Sequence, residues 1–518
     1  MAVRRELSGL PLVEDSRHSI LRIRSGDLSH LEKHVYTRYP TREWGTFFRF
    51  GYRRTSWGLA LSYVDGFWPE PGDLDRQVGL TRFLSQYSRR AFHESAQSPL
   101  AIGVVHSHPE QCYTWPSSLD DDMDTYFAQE FNSFGKGKPY CSLILQRSPV
   151  TGLTFTARVY DRGEWLPVEK LVTVGAHVDL LTSQADDKLP AEASAESSTG
   201  ETTRSRLISV LGPASADRLK QATVGIIGCS GTGSPAAHVL ARAGVGSFVL
   251  IDPKRFAKSN LERMHGSRWD HTLKDPPHKV ELLADFMQSI DPSVRITTLA
   301  GNVLHDNVLD ELLRCDILLG CTDTQHARAA LSDLASHYLL PSVDLGVLME
   351  GQNGQVTSQV VDIVTYDPDL PCAFCSGRID GTQLSIELMS DEERRHRQNE
   401  AELAASRGAD PDQYWKRQQP QLHTVGYVTT TLGALGAGYI EGILTGTFSP
   451  PHPWFQFDIG RARLAVTAPP RVQITGCKCS FHIGWGDLAR SFRNVSLPNH
   501  WPRRAVLLRR PNQGSAGT

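Results

Sequence analysis

Short apolar runs separated by polar turns predict alternating strands and helices along this chain. Residues 58–64 and 140–145 are apolar and strand-length, and they bracket a helix-like stretch over residues 81–94. Residues 100–105, Leu-Ala-Ile-Gly-Val-Val, predict a further strand running straight into His106, Ser107, His108 and Pro109. Residues 184–205 are small and polar with almost no large apolar side chain, a linker composition. After them, the apolar run 222–227 enters a glycine-rich turn, Gly228 to Gly233; a helical pattern covers 234–243, and the strand-like run 247–251 ends at Asp252. Residues 390–417 are heavily charged and read as a solvated helix or a mobile loop, and the segment after Pro502 as a frayed basic tail. The expected class is α/β, with an N-terminal α/β domain over 1–183, a flexible linker over 184–203, a Rossmann-like domain over 204–495 carrying a charged insertion at 380–418, and a tail over 496–518.

Composition narrows the function classes. At 518 residues the chain exceeds one ordinary core, which suggests two to four domains. With 54 basic and 57 acidic residues and a net charge of −3, no global field favours nucleic acid or an acidic membrane as partner. The first residues lack an apolar leader and no apolar run is long enough to span a bilayer, so a soluble, cytoplasmic protein is expected. Nine cysteines in such a length do not make a disulfide scaffold, and paired ones point to metal.

Two histidines at i and i+2 on a strand point to one face, so His106 and His108 can converge on one cation. Asp120, from the loop that follows, would complete three protein ligands and leave a fourth tetrahedral position for water, the pattern of a catalytic zinc. These residues resemble the JAMM motif of the MPN/JAB metalloproteases, His-x-His-Pro followed by Pro-Ser-x-x-Asp. The family cleaves bonds after the C-terminus of ubiquitin-like proteins. The resemblance implies an MPN-type fold, Glu43 as general base and Ser117 as an oxyanion donor. The loop before Ser117 is one residue longer than the family's, which leaves Ser118 with Asp121 as an alternative pair.

In the second half, the glycines Gly228, Gly231 and Gly233 between strand and helix suit close approach to phosphate, and Asp252 stands where a ribose-binding carboxylate is expected. A dehydrogenase would need no more than that. Asn260, Arg263, Lys279 and Asp323 with Arg328, taken with these, resemble the ThiF/MoeB-type adenylyltransferase core of ubiquitin-activating enzymes. The resemblance implies that Asp252 binds ribose, that Asn260, Arg263 and Lys279 hold the triphosphate, and that Asp323 supports magnesium. It also implies a homodimer in which Arg206, or alternatively Arg204, reaches the partner copy's ATP. Cys372, Cys375, Cys477 and Cys479 would hold a structural zinc, with His482 in reserve.

The resembled enzymes pass the activated C-terminus to a cysteine in the crossover segment, yet no cysteine lies between Cys375 and Cys477. The reaction then ends at the adenylate, or uses a hydroxyl such as Thr424 beside His423, or draws on Cys229, Cys315 or Cys321, which read as packed thiols. Thr424 has a plain alternative as a helix cap. The expectation is a bifunctional enzyme using zinc, ATP and magnesium on the C-terminus of one ubiquitin-like or sulfur-carrier protein, its two halves joined by a flexible tether. A bacterial conjugation pathway of the kind linked to phage defence, with a conjugating-enzyme-like partner, is the first reading. Thiocarboxylate formation for cofactor biosynthesis is the second, and a non-catalytic carrier-binding module the third.

Overall fold

A computed structural model describes residues 17–75, 82–109, 115–148, 152–183, 203–273, 275–410, 424–448, 452–466, 476–489 and 506–509. The N-terminal half is built on an eight-stranded sheet in the order His18–Arg24, Gly58–Phe67, Gly45–Arg54, Ala101–Ser107, Tyr140–Ser148, Gly152–Asp161, Glu164–Val174 and Val178–Thr182. His18–Arg24 pairs with both Gly58–Phe67 and Glu164–Val174, so the sheet closes on itself. Helix Ser118–Phe134 buries Asp120, Asp124, Phe127, Ala128 and Phe131, a stripe of helical period. That stripe packs with Tyr87 and Phe92 of helix Ser85–Gln97 against Phe47, Ile102 and Val104 of the sheet. The helix expected over 81–94 therefore begins later, because Arg82–Phe83 pairs as a short strand with Leu74–Asp75.

The C-terminal half carries a nine-stranded sheet. Its parallel centre runs Ser342–Gln352, Ile317–Gly320, Thr223–Ile227, Ser247–Ile251, Arg295–Ala300. Antiparallel strands extend both edges: Gln355–Tyr366, Trp454–Asp458 and Arg463–Val466 on one side, Val506–Arg509 on the other. The last strand corrects the expectation of a frayed tail, since backbone pairing with Arg295–Ala300 holds it in the sheet. The charged insertion forms helices Gly381–Leu388 and Asp391–Ser406; Ser390 and Glu393 make a reciprocal capping box that starts the second. In this sheet Thr223–Ile227 lies between Ile317–Gly320 and Ser247–Ile251, so the strand order reverses beside it and opens a crevice at the strands' carboxyl ends.

The two halves share one core, while residues 184–202 of the expected flexible linker lie outside the described residues. Ile20, Trp57, Ala60, Val172, Val174 and Val178 of the first half belong to the same apolar cluster as Leu312, Leu313 and Cys315 of the second. Arg22, fully buried, donates through Nη2 to the carbonyls of Leu313 at 2.8 Å and Cys315 at 2.7 Å. Burial lowers its pKa to about 10 against the pull of Asp316, which leaves it charged at neutral pH. Arg53 bonds Asp310 at 2.7 Å and Asp487 at 3.0 Å, and Lys170 meets Asp316 at 3.0 Å. A buried cation deprived of such partners is strongly destabilising, so these contacts enforce one docking pose. After cleavage at a protease site introduced within residues 184–202, the two pieces should co-elute on gel filtration; separate elution would contradict the shared core.

Candidate functional site

The first site forms because Gly45–Arg54 runs antiparallel to Ala101–Ser107 with Gly45 opposite His106. A Cβ on Gly45 would stand 2.7 Å from the Val105 carbonyl oxygen and 3.0 Å from the His106 Cβ, so only glycine lets the strands close here. His106 and His108 are both buried, and His106 Nε2 lies 3.2 Å from His108 Nε2 and 3.1 Å from Asp120 Oδ1. His108 Nε2 is 3.4 Å from Asp120 Oδ2. A tetrahedral zinc bonded to nitrogen and oxygen at roughly 2.0–2.2 Å holds its ligand atoms about 3.3 Å apart. The three side chains thus fit such an ion with one position left over.

Asp120 does not come from a loop, as expected, but from the first turn of helix Ser118–Phe134, where it completes a capping box with Ser117. Burial works against ionisation of Asp120, but hydrogen bonds from His106 and His108 outweigh it and hold the carboxyl well below its usual range. The alternative, Asp121, faces away and pairs with Arg158 at 2.7 Å. The Ser117 hydroxyl donates to Asp120 Oδ2 at 2.7 Å, so in this state it orients the carboxylate. Glu43 is half-buried two residues ahead of Gly45, in the segment whose Trp44 carbonyl accepts from the Ser107 amide at 3.0 Å. It therefore runs alongside the histidine strand.

The second site is a cleft of about 1400 Å³ at the carboxyl ends of the parallel strands. Gly228, Gly231, Asp252, Arg263, Lys279, Asp323 and Thr424 all line it. Gly228 has φ of +97° and a Cβ there would meet the Cys321 carbonyl oxygen at 2.5 Å; one on Gly233 would meet the Gly228 carbonyl oxygen at 1.9 Å. Both positions exclude any side chain. Asp252 is buried and accepts from the Cys229 amide at 3.0 Å and the Lys254 amide at 2.9 Å, which locks the glycine turn to the end of the second strand. Lys279 begins helix Lys279–Ile290, and burial lowers its hold on its proton while Asp252 opposes that. Asp323 is exposed on the turn before helix Gln325–His337.

Other expected residues fall elsewhere. Asn260 is buried, and its Oδ1 accepts from the Ala257 amide at 2.9 Å, so it shapes the turn carrying Arg263 rather than lining the cleft. Arg206 is exposed on helix Ser205–Leu211 and does not line its own chain's cleft, whereas Arg204 is bound to Asp291 at 2.5 Å. Thr424 is not a cap: helix Gly426–Thr445 has Val425 at its N-cap, and the Thr424 hydroxyl instead accepts from Arg263 Nη1 at 2.8 Å. His423 lies outside the described residues. Cys229 and Cys315 are fully buried and burial pushes both thiols up, the state of packed rather than nucleophilic cysteines.

Cys372, Cys375, Cys477 and Cys479 come together, with Sγ separations of 3.6 Å for Cys372–Cys477 and 3.7 Å for Cys375–Cys479. A tetrahedral zinc with Zn–S bonds of about 2.3 Å sets its sulfurs about 3.8 Å apart, so these two separations between the pairs fit such an ion. His482 is turned to Trp485, ring centroids 4.5 Å apart. Arg328, which belongs to the same resemblance, lines the cleft and pairs with Asp344 at 2.7 Å; missed from sequence are that partner and Asp362, which lies between Arg378 and the Trp454 indole N–H, the latter at 2.6 Å. Nothing local marks them, because their segments meet only across the sheet.

Residues 202–477, more than half of the chain, match the ThiF family. The chain belongs to the ThiF family. Over 161 residues it is 32% identical to the adenylyltransferase and sulfurtransferase UBA4 of Kluyveromyces lactis, an alignment covering 30% of this chain and 33% of that protein. The molybdopterin-synthase adenylyltransferase of Haemophilus influenzae is 31% identical over 158 residues, covering 30% of this chain and 60% of that one. The chain thus spans between a third and three-fifths of these two relatives. Among solved structures, Escherichia coli MccB with ATP aligns with a TM-score of 0.40 at 17% identity, over 54% of this chain and 74% of that chain. The ThiF match lies entirely outside the N-terminal sheet, whose strands span residues 18–182.

Proposed function

We propose that this ThiF-family protein adenylates the C-terminus of a sulfur-carrier or ubiquitin-like protein, and that its N-terminal half is a JAMM-type zinc peptidase trimming the same C-terminus. The observation that carries the first part is the meeting of Arg263, Lys279, Asp252 and Asp323 around the glycine turn in one cleft. A dehydrogenase has no use for Arg263 and Lys279 beside the phosphate turn. The relatives' names, sulfurtransferase and molybdopterin-synthase adenylyltransferase, favour a sulfur-carrier substrate over a conjugation pathway.

In adenylation the carrier's terminal carboxylate oxygen bonds to the α-phosphorus of ATP as the bond to pyrophosphate breaks. Arg263 and Lys279 stabilise the charge spread over the phosphoryl oxygens, and Asp252 holds the ribose. Magnesium, with Asp323 as its support, would neutralise the leaving pyrophosphate. Arg206 is assigned to the cleft of a second copy. Acyl transfer beyond the adenylate, if it occurs on this chain, falls to Thr424, whose hydroxyl already faces the cleft beside Arg263.

In the N-terminal site zinc, held by His106, His108 and Asp120, would make a bound water acidic and polarise the scissile carbonyl. Glu43 is assigned as the general base that would accept a proton from water at this site and pass it to the leaving amine. Ser117 orients Asp120 and is placed to donate to the developing oxyanion. The four-cysteine cluster is assigned a structural zinc. Pyrophosphate exchange into ATP tests the central claim: with a sulfur-carrier protein ending in glycine it should require magnesium and the carrier, and nicotinamide-dependent redox activity without exchange would refute it.

A further inference from the structure

Glu387 lies on helix Gly381–Leu388 of the charged insertion, far in sequence from the glycine turn, yet it is only 6% exposed and lines the nucleotide cleft. Its carboxylate serves a different helix. Oε1 accepts from the Gln325 amide at 3.1 Å, and Oε2 accepts from the His326 amide at 2.9 Å. These are the first amides of helix Gln325–His337, whose own N-cap, Thr324, makes no side-chain cap hydrogen bond. Glu387 therefore caps that helix from another element, placing a negative charge where the helix end is positive.

The contact extends through a side-chain chain across the cleft wall. Asn302 Oδ1 accepts from the Leu304 amide at 3.0 Å, which turns its Nδ2 to donate to His326 Nε2 at 3.1 Å. With Nε2 accepting, the proton of the ring sits on Nδ1 and is donated to Glu387 Oε2 at 2.8 Å. Asn302, His326 and Glu387 are all buried and all line the cleft. Asp323 stands two residues before the capped amides, on the turn that this network holds.

We propose that Glu387 is a positioning residue for the nucleotide site: by capping helix Gln325–His337 and orienting His326 and Asn302, it holds the Asp323 turn where a magnesium-bound nucleotide needs it. The insertion is thereby part of the nucleotide site and not only a cover over it. This inference rests on the reading of the cleft as an ATP site. Losing a hydrogen-bond partner of a metal ligand typically costs about 10–100-fold in metal affinity, and Glu387 acts one step further out, through the turn, which sets the lower end of that range as the expectation.

The test is calorimetric titration of the full chain with ATP across a series of magnesium concentrations, which needs no carrier. Glu387→Ala should weaken binding about tenfold or more and move its half-maximal magnesium concentration upward by a similar factor. Glu387→Gln keeps one cap acceptor but presents N–H to the His326 Nδ1 proton or to an amide, so it should fall between wild type and alanine. A purely structural role would lower the folded fraction without moving the magnesium dependence of the molecules that bind. Should Glu387→Ala fail to fold, the glutamine variant carries the decision. Wild-type affinity and magnesium dependence in the folded variants overturn the proposal alone, while failure of the wild type to bind ATP removes the ATP reading and this inference together.

Discussion

Glu43→Gln is expected to abolish cleavage of a carrier extended beyond its C-terminal glycine, while the protein keeps zinc at His106, His108 and Asp120. Glutamine preserves the size and hydrogen bonding of the side chain but cannot take a proton from water. General acid–base catalysis contributes about 10²–10⁴-fold, so the loss should fall in that range. Metal analysis beside peptidase assays separates the two roles: none of the three ligands is altered, so zinc per chain should match wild type. Unchanged cleavage would remove Glu43 as base. Loss of zinc would instead make it a ligand or a structural support. His106→Ala should behave differently, losing metal and activity together, because two ligands cannot hold the ion in its pocket.

The second large effect is expected from Arg263→Ala, with carrier-dependent pyrophosphate exchange falling about 10²–10³-fold, the scale for losing one preorganised charge donor at a reacting centre. Arg263 also binds the Thr424 hydroxyl at 2.8 Å, so Thr424→Val provides a contrast. That variant keeps Arg263 and should leave exchange near wild type, while removing any oxyester trapped between carrier and enzyme. Loss of exchange in Thr424→Val would show that the threonine acts through Arg263 in the adenylation step itself. Full exchange in Arg263→Ala would detach Arg263 from the triphosphate.

The shared core bears on how the two proposed activities relate. Arg22, Arg53 and Lys170 of the first half all bond to groups of the nucleotide half. In the proposed function, a carrier trimmed at one site passes to the other by its own movement.

Several features were legible within single segments. Period-two geometry alone sets His106 and His108 on one face, and the strand, glycine turn and helix from Thr223 to Ala243 are a local consequence of apolar runs and of backbone positions that admit only glycine. Partners chosen across the fold were legible only where a family resemblance supplied them, as for Asp120 and the four cysteines. Asp120 rather than Asp121 turns inward because Ser117 caps the helix that carries it, and a shift of one residue rotates a helical side chain by about 100°. The docking of the halves through Arg22, and the cap that Glu387 provides for Gln325 and His326, join residues between 61 and 293 positions apart and were not legible. Over such separations backbone periodicity carries no information. Which groups meet is decided by how sheets and helices pack, and by the cost of leaving a buried charge or amide without a partner.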